Sequence, residues 1–493
     1  MTDDQHAGAL GAMGNPLIQT PNLDLLAQKG VVFERCYATS PLCMAARATV
    51  MTGMYEYKTG CNFLTGNLGA EDWQQMAYPV LLKKHGYRNG FAGKWGFSID
   101  GVDGREAFDK WGTLQGGQGH YQTQRNPNMF AYSQQYPHVT RALGAFGRDF
   151  IGQSVQSNKP FCLSLSFKAP HKPHDIIDPK DQELYKNVTF PYPDSFGCEG
   201  LRRLPIQAKL GRQYYQRDEW CIDQYQQHLK HYYQLISGVD SAIGMVLDEL
   251  EHQKVANHTI IIFTSDNGYF CGAHGLQGKV LPYDDASRIP LIIYHPGLLS
   301  AEKRLRTKAV VGNIDFAPTI LDAAGIRIPW RMDGASLLPI VNDPMRKVRD
   351  VLGIIQNWDW TNRDMTKGLA ITSEDWKYIN WCYADRNITP AEELFNLNQD
   401  PAEMKNRIDD PVAAGELTML RDAYDQFHRH WAKHCVDGPY YKRYQQIFDR
   451  HIPWVEKQYL TIDSQFQQIE WQQKLQQQYQ DLTGETYPVY DDG

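Results

Sequence analysis

Three short runs made almost wholly of apolar, β-favouring residues constrain this chain most: 161–167, 259–263 and 290–294. A strand with one wet face alternates apolar and polar residues. Runs without alternation belong to strands covered on both faces, as in parallel sheets flanked by helices. Helical periodicity supplies the covers. Over 228–252, Tyr232, Leu235, Ile236, Val239, Ile243, Val246, Leu247 and Leu250 fall on one helical face. Shorter helices are predicted over 22–29, 45–51 and 79–85, the first stopping at Gly30 and the last at Gly86. Strands are predicted from Val31 and over 88–92. The expected fold class is α/β, a large mixed, mostly parallel sheet sandwiched by helices. After about residue 345 the texture changes. Runs at 351–355, 370–372 and 376–381 read as a small antiparallel sheet, and 412–482 as largely helical and rich in Gln and Tyr. The expected division is 1–345 for a catalytic α/β domain and 346–493 for a smaller α+β subdomain with a helical tail.

Composition removes several classes of function. The net charge of −7 over 493 residues, without long like-charge blocks, argues against nucleic acid as partner. No apolar run is long enough to span a membrane, and no signal peptide opens the chain. The nine cysteines are odd in number, scattered and free of CxxC pairs, so neither a disulfide framework nor a zinc ribbon is indicated.

The residues able to do chemistry lie beside these elements. Asp3-Asp4 and Asp266-Asn267 are two oxygen-rich pairs near strand ends. They offer hard ligands suited to Ca²⁺ or Mg²⁺, although either pair alone reads as a loop or a cap. Cys43 precedes a predicted helix, where free N–H groups favour anions, and Arg47 lies one turn on. Alone, they read as a buried thiol and a surface arginine. Lys94 follows the predicted strand at 88–92, His171 follows the run at 161–167 within a Pro-rich loop, and Lys279 follows a Gly-rich loop after Asn267.

In order along the chain, Pro41-Leu42-Cys43-Met44-Ala45-Ala46-Arg47 with Thr52-Gly53, then Gly93-Lys94-Trp95, Ala169-Pro170-His171 and Ser265-Asp266-Asn267-Gly268 resemble the type I, formylglycine-dependent sulfatases of the alkaline-phosphatase-like superfamily. Asp315-Phe316-Ala317-Pro318-Thr319, Trp376-Lys377-Tyr378 and Glu393-Leu394-Phe395-Asn396 extend the resemblance to about residue 405. It implies that Asp3, Asp4, Asp266 and Asn267, with the modified Cys43, hold one Ca²⁺, Mg²⁺ being the other choice. It implies that a maturation enzyme oxidises Cys43 to formylglycine, whose hydrate attacks sulfur. Arg47 would steady the nucleophile, Lys94 and Lys279 would contact the sulfate, and His171 would donate a hydrogen bond or act as general acid.

Three departures from the family pattern stand out. Gly96 follows Trp95 where the family often has histidine, with His120 and His274 as the available substitutes. Ala45 stands where Pro or Ser is commoner. The family has a strand ahead of the Asp-Asp pair, whereas this chain opens two residues before it; the expectation is a longer, exported precursor, or a cytoplasmic enzyme if none exists. For substrate, the stretch 116–121 and the loop carrying Trp358, Trp360 and Arg363 suit a sugar, so a sulfated carbohydrate is expected. The rival readings are a phosphonate or phosphodiester hydrolase of the same superfamily and a non-catalytic sulfated-glycan binder.

Overall fold

A computed structural model describes the chain apart from residues 64, 210–219, 298–304, 358–365, 384–387, 438, 458–459, 461–476, 478–479, 481–483 and 485–493. Its strands are β1 (Val31–Phe33), β2 (Cys36–Tyr37), β3 (Arg88–Gly93), β4 (Lys110–Thr113), β5 (Phe161–Ser166), β6 (Ile261–Thr264), β7 (Leu291–Tyr294), β8 (Leu305–Thr307), β9 (Val311–Gly312), β10 (Leu352–Gln356), β11 (Thr366–Thr372), β12 (Trp376–Tyr383) and β13 (Ala391–Asn396). The helices that matter below are α1 (Pro21–Lys29), α2 (Cys43–Thr52), α3 (Val139–Gln156), α4 (Tyr225–His252) and α5 (Ala414–His434).

The first layer is mixed, as the apolar runs predict. β4, β3 and β5 lie side by side and parallel. β6, β7, β1 and β8 form a second group in which β1 and β8 are parallel while β7 runs against both β6 and β1. Residues 1–3 join the groups. Thr2 donates to the Thr264 carbonyl at 2.9 Å, Asp3 donates to Ala169 at 3.2 Å, and the Met1 carbonyl accepts from Phe167 at 2.9 Å. Leu143, Phe146 and Phe150 of α3 and Leu235, Val239 and Ala242 of α4 cover one face, packing with Phe263 and Ile292. On the opposite side Met44, Ala48 and Met51 of α2 pack with Phe91, Ala317 and Leu321.

Thr2 and Asp3 make parallel bridges to Ser265 and Pro170 where the strand leading into the acidic pair is expected. Beyond Met1, β5 and β6 line an apolar cavity of about 730 Å³, walled also by Leu82, Ile151 and Val246. The Met1 ammonium donates to the Leu165 carbonyl at 2.9 Å. Burial holds its pKa down to about 5, because a charge in an apolar slot lacks the hydration it has in water.

The second sheet is an antiparallel meander, β10-β11-β12-β13. β13 adds a strand to the three read from the sequence. Leu420, Tyr424 and Trp431 of α5 close over it, in one core with Tyr37, Tyr283 and Ile314 from the first layer. Of the expected helical tail, Ala414–His434, Pro439–Phe448 and Trp454–Lys457 are present, and nearly all of 458–482 lies outside the described residues. Among the described residues no helix is long and apolar enough to cross a membrane.

Candidate active site at the carboxyl ends of the strands

Parallel strands deliver their carboxyl ends to one edge of the layer, and loops leaving that edge carry the ligand-binding groups of such sheets. Lys94 leaves β3, Lys168 and His171 follow β5, and Asp266 and Asn267 follow β6. Asp3 and Asp4 leave the 1–3 link, with Asp4 in the left-handed region at φ 68°. Helix α2 starts at Cys43, two residues earlier than the sequence suggests. Leu42 is extended and caps by its backbone, its carbonyl accepting from Ala46 at 2.8 Å. Cys43 is therefore the first helical residue, where amide N–H groups lack intrahelical partners.

One ligand atom each from Asp3, Asp4 and Asp266 lies within 4.8 Å of the others, and Asp3, Cys43 and His171 meet the same criterion. Each acid faces a cation. Lys94 donates to Asp3 and Lys279 to Asp4. Arg47 contacts Asp266 through Nε at 3.0 Å and Nη2 at 2.8 Å. Arg47 Nη1 donates to the Lys94 carbonyl at 2.7 Å and to Ser166 Oγ at 2.6 Å, so the arginine ties α2 to β3 and β5. Lys279 Nζ also lies 2.7 Å from Cys43 Sγ. Asn267 Nδ2 donates to Asp4 Oδ1 at 2.7 Å, turning its amide oxygen away from that bond.

Burial opposes ionisation of Asp3, but Lys94, His171 and Lys279 outweigh it and hold that carboxyl well below its ordinary range. Burial and the neighbouring Asp3 charge raise Asp266 to about 6. Burial pushes the Cys43 thiol up while Lys279 and Lys94 pull the other way. His171 is lowered to about 4, chiefly by burial. Its Nδ1 lies 2.8 Å from the Lys172 carbonyl and its Nε2 3.8 Å from Asp4 Oδ2. A carbonyl partner fixes the proton of a neutral ring on Nδ1, leaving Nε2 as an acceptor.

The donor set fits a hard divalent cation. Asp3 Oδ1 and Asn267 Oδ1 are buried without a hydrogen-bond donor, a costly arrangement for oxygens that no cation answers. Carboxylate and amide oxygens are the ligands Ca²⁺ takes.

All nine residues expected in the catalytic and metal sets, Asp3, Asp4, Cys43, Arg47, Lys94, His171, Asp266, Asn267 and Lys279, thus share one site. The substrate residues fare differently. His120 is half-buried near the edge, its backbone pinned by Asn126 at 3.1 and 2.8 Å. His274 is fully buried, stacked on Tyr283 at 4.9 Å and 3.6 Å from Asp285 Oδ2. That places it in the packed core beside Tyr283, not beside Cys43, and it does not stand in for the missing histidine. At Gly96 (φ 82°), a Cβ would meet Arg47 Cδ at 2.6 Å, so the arginine stem fills the space a side chain would need. Trp358, Trp360 and Arg363 lie outside the described residues. Sequence reasoning missed Ser166 and Lys168, whose only signal is position, at or beside the strand end already marked by His171; Tyr121 lies in the stretch 116–121 expected to suit a sugar.

Comparison with known proteins agrees with this geometry. The sulfatase family profile matches residues 1–326, and the profile for the C-terminal part of N-sulphoglucosamine sulphohydrolase matches 272–430. An N-acetylglucosamine-6-O-sulfatase of Bacteroides thetaiotaomicron is 28% identical, covering 82% of this chain and 81% of its own. The N-acetylglucosamine-6-sulfatase of Bos taurus is 30% identical, covering 84% of this chain and 80% of its own. A solved structure in complex with its substrate, D-glucosamine-2-N,6-O-disulfate, superposes with a TM-score of 0.71 at 25% identity, over 87% of this chain and 96% of that one. The chain belongs to the sulfatase family, with the alkaline-phosphatase-like α/β fold. It is a sulfuric ester hydrolase.

Proposed function

We propose that this enzyme removes sulfate from a sulfated carbohydrate, with 6-sulfated glucosamine as the first sugar to try. One observation carries the reading: Cys43, on the first turn of α2, lies 2.7 Å from Lys279 and beside three clustered carboxylates. The substrate class draws support from relatives that are named for N-acetylglucosamine 6-sulfate and from the structure bound to a disulfated glucosamine.

In this reading Asp3, Asp4, Asp266 and Asn267 hold one divalent cation, Ca²⁺ by ligand type, which supplies positive charge beside the sulfuryl oxygens. A formylglycine made from Cys43 by a separate maturation enzyme supplies the oxygen nucleophile. The chain's own residues do the rest. Lys94 and Lys279 bind sulfate oxygens and stabilise the charge that builds there, fixed cations being most effective in a dry site. Arg47, locked onto Asp266, Ser166 and the Lys94 carbonyl, holds α2 against the strands so that position 43 stays aimed. His171, whose Nε2 lies 3.8 Å from Asp4 Oδ2, hydrogen-bonds the sulfate or serves as general acid to the leaving oxygen. In this reading residues 1–345 are the catalytic domain and 346–493 the smaller subdomain.

The test is turnover with mass analysis of the peptide carrying residue 43, using protein made alongside a maturation enzyme. The expected result is a formylglycine at 43, sulfate release from 6-sulfated glucosamines, and a loss of about 10⁴-fold or more in Cys43→Ala, the scale of removing a nucleophile. Full activity in Cys43→Ala, or hydrolysis of phosphate esters alone, would overturn the reading.

A further inference from the structure

Three of the four cations grouped around the candidate site are already answered. Arg47 faces Asp266, Lys94 faces Asp3 and Lys279 faces Asp4. Lys168 is the fourth. It is 5% exposed, and among the described residues its Nζ has neither a carboxylate partner nor a hydrogen-bond acceptor. What holds it is an aromatic face, with Nζ 5.4 Å from the centre of the Tyr121 ring. Tyr121 in turn donates its hydroxyl to the His171 carbonyl at 2.5 Å, so the tyrosine links the lysine to the histidine loop. Lys168 is set by β5 itself, two residues past Ser166, whose hydroxyl accepts from Arg47.

An ammonium largely withdrawn from water without a paired anion is unfavourable, and a cation–π contact of roughly 0.5–2 kcal/mol offsets only part of that cost. Burial indeed lowers its pKa, against the pull of Asp3 and Asp4. The position makes physical sense if an anion arrives with the substrate. The scissile sulfate already has Lys94 and Lys279. We propose that Lys168 binds a second anionic substituent of the sugar, a sulfate or a carboxylate next to the sulfate ester being cleaved. The inference rests on the carbohydrate reading above and narrows its substrate class to sugars carrying two negative groups.

Binding tests this apart from turnover. In the Cys43→Ala chain with Ca²⁺, calorimetry would compare three probes: N-acetylglucosamine 6-sulfate, glucosamine N,6-disulfate, and a disaccharide joining the 6-sulfated N-acetyl sugar to a uronic acid. Adding Lys168→Met is expected to weaken at least one doubly anionic probe about tenfold, and at least five times more than the monosulfated sugar, with Lys168→Arg restoring most of the difference. A response confined to the disulfate assigns the second group as a sulfate; one confined to the uronate assigns it as a carboxylate. Equal losses on all three probes, or no loss on any, would overturn the proposal. Thermal unfolding guards against a trivial cause. An unpaired buried charge replaced by Met should leave Tm unchanged or higher, whereas a structural ion pair would lower it. Wild-type enzyme that hydrolyses no sulfate ester would sink the proposed function, while the binding difference between probes would still stand or fall by itself.

Discussion

Of the buried ion clusters among the described residues, two do opposite work. In the first, Asp3, Asp4 and Asp266 meet Lys94, Lys279 and Arg47 at the strand ends. In the second, Asp284 accepts from Lys377 at 2.6 Å and Arg288 at 2.8 Å, with Arg35 at 4.0 Å, while Glu403 meets Lys377 at 2.8 Å and the Asp284 amide at 2.6 Å. Lys377 belongs to β12 and Arg35 lies beside β2, so this cluster fastens the antiparallel sheet to the main layer. Its charges answer one another across that junction. The first cluster leaves Asp3 Oδ1 and Asn267 Oδ1 without donors, next to a thiol; in the second, Glu403 Oε1 also lacks a hydrogen-bond donor, but Lys377 stands 2.8 Å from it. Burial and charge alone therefore do not distinguish a site from a fastening. What the first has and the second lacks is three clustered carboxylates beside a nucleophilic thiol.

Substitution in the first cluster should show the largest effect. Asp266→Ala is expected to lower kcat/KM by about 10³-fold or more, since metal ligation and the Arg47 anchor are lost together. Ca²⁺ should raise the Tm of the wild type, by mass action worth about 2.7 kcal/mol at a hundred times Kd, and should leave the Tm of Asp266→Ala unmoved. Calorimetry with and without chelator reads both. A Ca²⁺-dependent Tm that survives in Asp266→Ala would break the contrast, because the first cluster would then be a fastening too.

The second cluster should respond in stability and leave the chemistry alone. Lys377→Met takes the lysine from Glu403 and leaves Asp284 to Arg288 and Arg35, and breaking a buried pair in this way costs about 3–5 kcal/mol. The expected outcome is a lower denaturation midpoint, with the Ca²⁺ response and the activity per folded molecule retained. Loss of Ca²⁺ binding in this variant would show that the clusters are coupled.

Much of the first cluster was legible in the sequence, and none of the second. Unbroken apolar runs specify strands covered on both faces, and Lys94, His171, Asp266 and Asn267 follow predicted strands; it was the ordered family resemblance that joined them to Asp3, Asp4, Cys43 and Arg47. Residues whose role depends on packing were not legible. His274 looks like a site residue by position, yet its backbone, at φ 56°, turns the ring into the core against Tyr283. β13 is hidden by its glutamates. Glu393 faces inward, accepting from Tyr283 at 2.6 Å and Trp381 at 2.7 Å, so a polar residue occupies a core position and the alternation is lost. Helix α2 begins at Cys43 behind Leu42, which has no capping side chain to mark the start. Lys168 reads as an ordinary solvated lysine until Tyr121 and the strand end are seen around it.

Glu56 sharpens the comparison from a third place, a buried carboxyl with no cation at all. It accepts from Asn62 and Tyr441, and from Asn357 at 2.9 Å. Burial raises its pKa from 4.5 to about 7. A carboxyl that holds its proton longer in the folded state than in the unfolded one makes stability fall as pH rises, here between about pH 4.5 and 7, by at most about 3 kcal/mol. Glu56→Gln should remove that slope in chemical denaturation and make the variant relatively more stable at pH 8 than at pH 5. An unchanged slope would mean that Glu56 ionises freely in the fold.

Gly96 carries the smallest expected effect and the finest test of how the first cluster is held. At φ 82° an added methyl is strained by about 1 kcal/mol, and it would press on Arg47 Cδ from 2.6 Å. Arg47 is the link between α2, β3, β5 and Asp266, so the displacement should reach position 43 without removing any charged group. Gly96→Ala is expected to lower kcat about tenfold with KM and Ca²⁺ affinity little changed, because a small misplacement of reacting groups costs rate before it costs binding. Steady-state kinetics beside calcium titration separates the two. A fall in Ca²⁺ affinity with kcat intact would place the arginine's importance in assembling the carboxylates, and would move Gly96 from the nucleophile's side of the cluster to the metal's.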